Sequence, residues 1–401
     1  MHDTVCLMPW ISIITLPQGQ IGPCCVFDDS HDFGNIKTHK LQDAVNHTSM
    51  KQLRIDMLNG HRNSACSTCW RSEDQGLVSI RQRLNSKYKK HFPIIRQTAL
   101  DGTLDNFQLI HADFRISNLC NLKCRMCTGA YSSSIAQEEA TLFNQRRYID
   151  IKINNQEFDK VLDFFSQHIN SVESLYFAGG EPLLLEAHYK MLDLIIKHNR
   201  TDVELSYNTN LTNLKFKNQS VTDYWKHFDN VIVGVSVDLT DQRAAYVRHG
   251  SDYQVIKQNY RSIAPYVKIN ISSVLSLYNA FNLIELQKDW ILNEKVSASS
   301  IGFMTLVNPD FLSIQILPKS FKDQIFTEIN QHIKWLKTVP ESDQLIIDWQ
   351  NAQNFMMLED HSDLLDTFFE VNDLKDQYRN ESFERVFPEF QNLRSYCNFL
   401  V

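Results

Sequence analysis

The stretch Cys120-Asn-Leu-Lys-Cys124-Arg-Met-Cys127 places three cysteines within eight residues. Thiolates at this density point to soft-metal ligation rather than packing, and the set suits zinc or an iron–sulfur cluster. The spacing is Cys-x3-Cys-x2-Cys, three ligands where a closed tetrahedral site uses four, so one metal position is left open. The preceding run, Phe107–Ile116, is a strand of partial alternation that delivers Cys120 at its C-terminal end. That is where βα barrels and open α/β sheets keep their chemistry.

Outward from this loop, the chain alternates strands and helices from residue 106 on. An amphipathic helix over 156–169 carries Phe158, Val161, Leu162, Phe165 and Ile169 on one side. Strands follow at Ser174–Ala178, Val203–Asn208, Val231–Asp238, Val267–Val274 and Ser300–Met304, with a helix over 186–198. The run Val231–Asp238 is apolar almost to its end, as a strand buried on both faces should be. Six such repeats predict an α/β fold, a partial (β/α)6 TIM-like barrel over 106–310 that is open on one side. Residues 311–401 read as a helical C-terminal region with boundaries at Pro340 and Pro388. Strand two ends in Gly179-Gly180-Glu181-Pro182-Leu183, whose glycines let the backbone turn and approach a ligand while Glu181 offers a charge to a cation.

Residues 1–90 read as a small domain with a cysteine set of its own. The strand-like run Trp10–Leu16, the turn Pro17–Gln20 and a return strand to Cys24 and Cys25 suggest a β-hairpin. Its spacing is Cys6-x12-Gly19-x4-Cys24, and Cys66-Ser-Thr-Cys69 adds the second pair expected of a four-thiolate site. Residues 70–105, with Arg71, Arg81, Arg83, Lys87, Lys89 and Lys90, form a basic helical connector read as a solvated face.

A length of 401 residues allows two or three domains, and 43% hydrophobic with 22% charged residues is ordinary for a soluble globular chain. A net charge of -7 argues against a nucleic-acid partner held by its phosphates. Met1–Trp10 lacks a signal-peptide apolar run, and no stretch of some 18 apolar residues occurs, so a cytoplasmic protein without a membrane partner is expected. Eight of the nine cysteines fall before residue 128, a clustering that favours metal sites over scattered core thiols. The oligomeric state is not encoded in any of these features.

The cysteine loop resembles that of the radical S-adenosylmethionine (SAM) enzymes. The resemblance implies a [4Fe-4S] cluster on Cys120, Cys124 and Cys127, completed by SAM. It also implies reductive cleavage of SAM to a 5′-deoxyadenosyl radical that takes a hydrogen atom from substrate. Gly179, Gly180 and Glu181 match the motif that binds the SAM amino group. Thr209-Asn210-Leu211-Thr212 resembles a Thr-Asn-Gly-Thr turn and brings in Asn210. Ser236 and Asp238 match a Ser-x-Asp near the ribose, Arg248 in Tyr246–Gly250 matches an arginine facing the carboxylate, and Met126 joins this set from within the loop. The N-terminal segment resembles the twitch and SPASM auxiliary-cluster modules, implying a second [4Fe-4S] cluster on Cys6, Cys24, Cys66 and Cys69, with Cys25 competing for the place of Cys24. Such modules usually follow the barrel in the family, and here the module precedes it. The resemblance implies oxidative modification or crosslinking of a ribosomal peptide, with a small polar metabolite as the alternative substrate. A one-electron reductant such as flavodoxin or ferredoxin is the expected partner. Strand addition at the hairpin's outer edge is one route for a peptide to bind.

Overall fold

Eight strands join in one sheet in the computed structural model, which describes residues 2–149 and 151–397. They are β1 Ser12–Thr15, β2 Ile21–Gly22, β3 His111–Phe114, β4 Ser174–Phe177, β5 Glu204–Thr209, β6 Val231–Ser236, β7 Lys268–Leu275 and β8 Ile301–Thr305. Their spatial order is β8-β7-β6-β5-β4-β3-β1-β2. The six strands from β3 to β8 are parallel to their neighbours and follow one another in sequence order, the arrangement of a partial (β/α)6 barrel.

The helices used below are α1 Thr48–Leu58, α2 Ser67–Asp74, α3 Ile80–Lys87, α4 Ser133–Leu142, α5 Asn155–His168, α6 Glu186–Lys197, α7 Tyr253–Ile263, α8 Leu283–Leu292, α9 Lys319–Leu336, α10 Asp343–Leu358 and α11 Leu365–Arg379. Helix α5 starts with a reciprocal cap between Asn154 and Glu157, then buries Phe158, Val161, Phe164 and Phe165, a stripe at helical spacing. In β6 the valines at 231, 233 and 235 are buried, as its apolar run predicts. No helix among the described residues is long and apolar enough to cross a membrane.

The N-terminal hairpin is not separate from the barrel. Strand β1 runs parallel to β3, with Ser12 opposite His111 and Thr15 opposite Phe114, so the barrel sheet continues into the hairpin. This makes β1 an interior strand and leaves β2, two residues long, as the outer edge. The bridge from Gln20 to Asn35 covers that edge, which leaves little backbone for strand addition there.

Two buried arginines hold the N-terminal region together. Arg54, on α1, donates to the carbonyls of Pro9, Val45 and Gly102. Arg81, on α3, corrects the reading of the connector as a solvated face. It is 8% exposed, pairs with Glu73 at 2.7 Å and donates to the carbonyls of Asp3 and Val5. A bidentate carboxylate and two carbonyls replace the water that its charge would otherwise need.

Candidate active site

The cysteine loop leaves the C-terminal end of β3 and is pinned on both sides. Ser132 caps α4 by accepting from the Ile135 N–H, and its hydroxyl donates to the Leu122 carbonyl at 2.8 Å. Ser134 donates to the Cys120 carbonyl at 2.9 Å. The clustered serines thus shape the loop from the helix start. Lys123–Cys124 pairs antiparallel with Arg248–His249, which brings Arg248 against the thiols.

Cys120, Cys124, Met126 and Cys127 line one cavity of about 320 Å³ together with Gly179, Gly180, Glu181, Asn210, Ser236 and Arg248. Burial lifts the Cys120 thiol to about 12, and it raises Cys124 and Cys127 as well. Cys120 and Cys124 each raise Cys127 further, because like charges so near one another are costly. Such thiols are poor acids alone, and metal coordination is the event that favours their deprotonation.

Glycine is required twice at the facing turn. Gly179 has φ +116, and a Cβ on Gly180 would lie 2.1 Å from the Leu119 carbonyl oxygen, so the turn packs directly on the cysteine loop. Glu181 is buried and accepts from the Thr209 hydroxyl at 2.7 Å, the Asn210 N–H at 2.8 Å and the Leu183 N–H at 3.1 Å. Burial lifts its carboxyl to about 7 in spite of these three donors. Asn210 donates to Asn121 in the cysteine loop at 2.9 Å, tying the third strand end to the first.

Leu211 stands where the resemblance has glycine, and it adopts φ 51. Left-handed backbone costs an L-residue about 1–2 kcal/mol, while full burial of a leucine contributes about 1.5–3 kcal/mol. With Leu211 fully buried, burial carries the strain.

Arg248 donates to Asp238 at 2.7 Å and reaches Cys124 Sγ at 3.9 Å. Asp238 does not line the cavity: its second oxygen accepts from the Val274 N–H, and it orients Arg248 from behind. His249 faces away, 2.7 Å from Glu381. The cavity therefore has a buried carboxyl on one wall and a guanidinium on another, a polarity that suits a zwitterionic amino acid beside a thiolate set.

Arg115, Tyr131, Tyr176, Asn208 and Thr209 also line the cavity, with Arg115 held by Asp113 at 3.1 Å. Thr209 opens the Thr209–Thr212 turn and Tyr131 follows the cysteine loop, whereas for Arg115, Tyr176 and Asn208 only their places at strand ends, or just beyond, point to a site.

Cys6, Cys24, Cys66 and Cys69 ring a second cavity with Met8, Val26, Ile80, Arg81 and Leu84. Burial raises all four thiols, Cys6 to about 12, and Arg81 sets a positive charge beside them. Cys25 is absent from that ring and lines an adjoining cavity with Ile14, His111 and Tyr176, near Arg115 and Asp113, while Cys24 lines both. No three acidic, histidine or cysteine side chains among the described residues close on one point as a single ion requires. Both cysteine sets surround a space instead, and their donor chemistry fits iron–sulfur clusters.

Two such thiolate sets, one of them at the strand ends of a βα barrel, define an iron–sulfur protein. Residues 114–278 match the radical SAM superfamily, and residues 6–70 match the SPASM iron–sulfur cluster-binding domain. The chain thus carries a radical SAM domain and a SPASM-type auxiliary domain, and these domains imply a [4Fe-4S] cluster with SAM and an auxiliary cluster.

No curated protein matches the chain. Among solved structures, it is similar to native anSMEcpe with bound AdoMet and Cp18Cys peptide, at 18% identity and TM-score 0.39 over 56% of this chain and 59% of that one. Native anSMEcpe with bound AdoMet gives 21% and 0.41 over 57% and 60%. Streptococcus suis SuiB bound to S-adenosylmethionine gives 14% and 0.39 over 73% and 63%. The chain thus spans about three-fifths of the length of these structures.

Proposed function

We propose that this protein reductively cleaves SAM and abstracts a hydrogen atom from a peptide, leading to its oxidative modification or crosslinking. The observation that carries the reading is the single cavity shared by the three loop thiols, the Gly179–Glu181 turn and Arg248. Cys120, Cys124 and Cys127 would hold the cluster, and Gly179, Gly180, Glu181, Asn210, Ser236 and Arg248 would hold SAM, with Asp238 as the positioning residue for Arg248. Cys6, Cys24, Cys66 and Cys69 would hold the auxiliary cluster. When bound, these groups supply one-electron cleavage of SAM and a redox centre for the substrate's electron.

The chain's own part is binding and orientation. Glu181 as carboxylate attracts an ammonium, Arg248 attracts a carboxylate, and the buried walls limit water at the thiols. A reductant such as flavodoxin or ferredoxin would supply the electron.

Iron and acid-labile sulfide in protein purified without oxygen test this assignment. About eight iron per chain is expected, falling to about four in a Cys120→Ala/Cys124→Ala/Cys127→Ala variant that also loses 5′-deoxyadenosine formation. Zinc without sulfide would end the radical reading.

A further inference from the structure

The walls of the SAM-class cavity continue into a larger space. Met126 and Val274 line both it and a neighbouring cavity of about 380 Å³. The second cavity lies between helices α2 and α3 on one side and β8 with α10 on the other. An occupant here reaches the thiol loop directly.

Two features give this cavity a chemistry. The first is the free edge of β8, which among the described residues has β7 as its one partner. Leu306 N–H donates to the Leu275 carbonyl, and in a parallel pair alternate residues face the neighbour, so Met304 and Gly302 also bond toward β7. The backbone groups of Phe303, Thr305 and Val307 then point away, into or beside the cavity, with no hydrogen-bond partner among the described residues. Exposed edges are normally blunted by charge, proline or a covering element. This one instead carries Met304 at 52% exposure, and open space lies beside Gly302.

The second feature is a pair of unpaired cations. Arg71 and Arg83 line the cavity from α2 and α3, both exposed, and neither guanidinium has an ion-pair or hydrogen-bond partner among the described residues. Their neighbours Arg62 and Arg81 are paired, with Asp74 and Glu73. Asp348, the one acidic residue among the described residues of the lining, accepts from Gln344 on its own helix and feels the charge of Arg83 without bonding to it. Val26, Leu77, Val78 and Ile80 provide the apolar floor.

Resting on the SAM-cleavage reading above, we propose that this cavity binds an extended, acidic peptide segment. Its backbone pairs with the outward groups of Phe303, Thr305 and Val307, and its carboxylates pair with Arg71 and Arg83. Main-chain pairing supplies affinity without sequence preference, and the two arginines supply the selection.

The test uses iron–sulfur-loaded protein with SAM and three fluorescein-labelled, N-acetylated peptide pools. The pools share a valine and alanine frame and carry Glu, Gln or Lys at alternate positions. The Glu pool is expected to bind about tenfold tighter than the Gln pool, the scale of one charge-assisted hydrogen bond, with the Lys pool weakest. In an Arg71→Glu/Arg83→Glu variant the order of Glu and Lys reverses. Methylating alternate backbone nitrogens of the Glu pool weakens binding by a similar factor. Equal affinities, no binding of the Glu pool, or a preference that survives charge reversal overturns the proposal. Formation of 5′-deoxyadenosine by the wild type without peptide is measured alongside. Cleavage without the Glu preference sinks the substrate assignment alone, and absent cleavage sinks the reading beneath it.

Discussion

Glu181 shows how one residue's environment sets a binding property. Its carboxyl is lifted to about 7 chiefly by burial, so it is largely protonated at pH 6 and largely ionised at pH 8. An ammonium is attracted to the ionised form, so SAM affinity is expected to rise between pH 6 and 8 and then level off. Glu181→Gln should lower affinity about tenfold or more and abolish this part of the pH dependence, as read by equilibrium dialysis on reconstituted protein. A wild-type affinity flat across that range would refute the role. Glu181 and the thiols were legible in the sequence because each sits in a dense local motif. The place of Asp238 was not, since its role depends on Arg248, ten residues on and across a turn, taking its carboxylate. Arg115 and Tyr176 were illegible for a related reason: nothing in a strand's pattern says which inward residue meets a cavity.

Among the elements, α11 is the least expected contributor. Its sequence reads only as part of a helical C-terminal region, yet its buried face anchors the cysteine loop. Arg125, between Cys124 and Cys127, donates to Asn372 and Asp376 of α11 and to Glu381 just beyond it, and its guanidinium lies 3.7 Å from the Tyr246 ring centroid. Arg379 and Glu138 add a second buried pair, linking α11 to α4. Breaking a buried ion pair by removing one partner costs about 3–5 kcal/mol, because the remaining charge is stranded. Arg125→Met should lower the urea midpoint accordingly and weaken iron retention at the loop. In a double-mutant cycle with Asp376→Asn, the combined loss should be smaller than the sum of the single losses. Strict additivity would show that the pair is not coupled. The alternation of strands and helices was readable because period and turn residues are local. This anchor joins residues some 250 positions apart, and no local pattern carries that.

The whole molecule behaves as one sheet with its modules locked onto it, and buried histidines sit in that shared core. The hairpin continues the barrel sheet, and Tyr88 of the connector bonds both His111 and Ser174 at the starts of β3 and β4. The sequence showed the hairpin but not its register with β3, because strand pairing between modules is set by packing rather than by either strand's composition. Burial depresses His111, His188 and His332 to about 3 from an ordinary value near 6.5. Between those values the unfolded chain takes up protons that the native protein excludes. Stability is therefore full above about pH 6.5 and falls as pH drops toward 3, by about 2 kcal/mol per histidine at pH 5. His188, bonded to Tyr207 at 3.0 Å and packed edge-on to Phe177, isolates one such contribution. His188→Gln should take up about one proton fewer on unfolding near pH 5, so its stability should decline less steeply than the wild type's from pH 7.5 to 5.5. Loss of metal from the thiolates affects both proteins alike and cancels in the difference. Parallel urea-midpoint curves across that range would mean that His188 is protonated in the native fold, and that this part of the core is wetter than its packing implies.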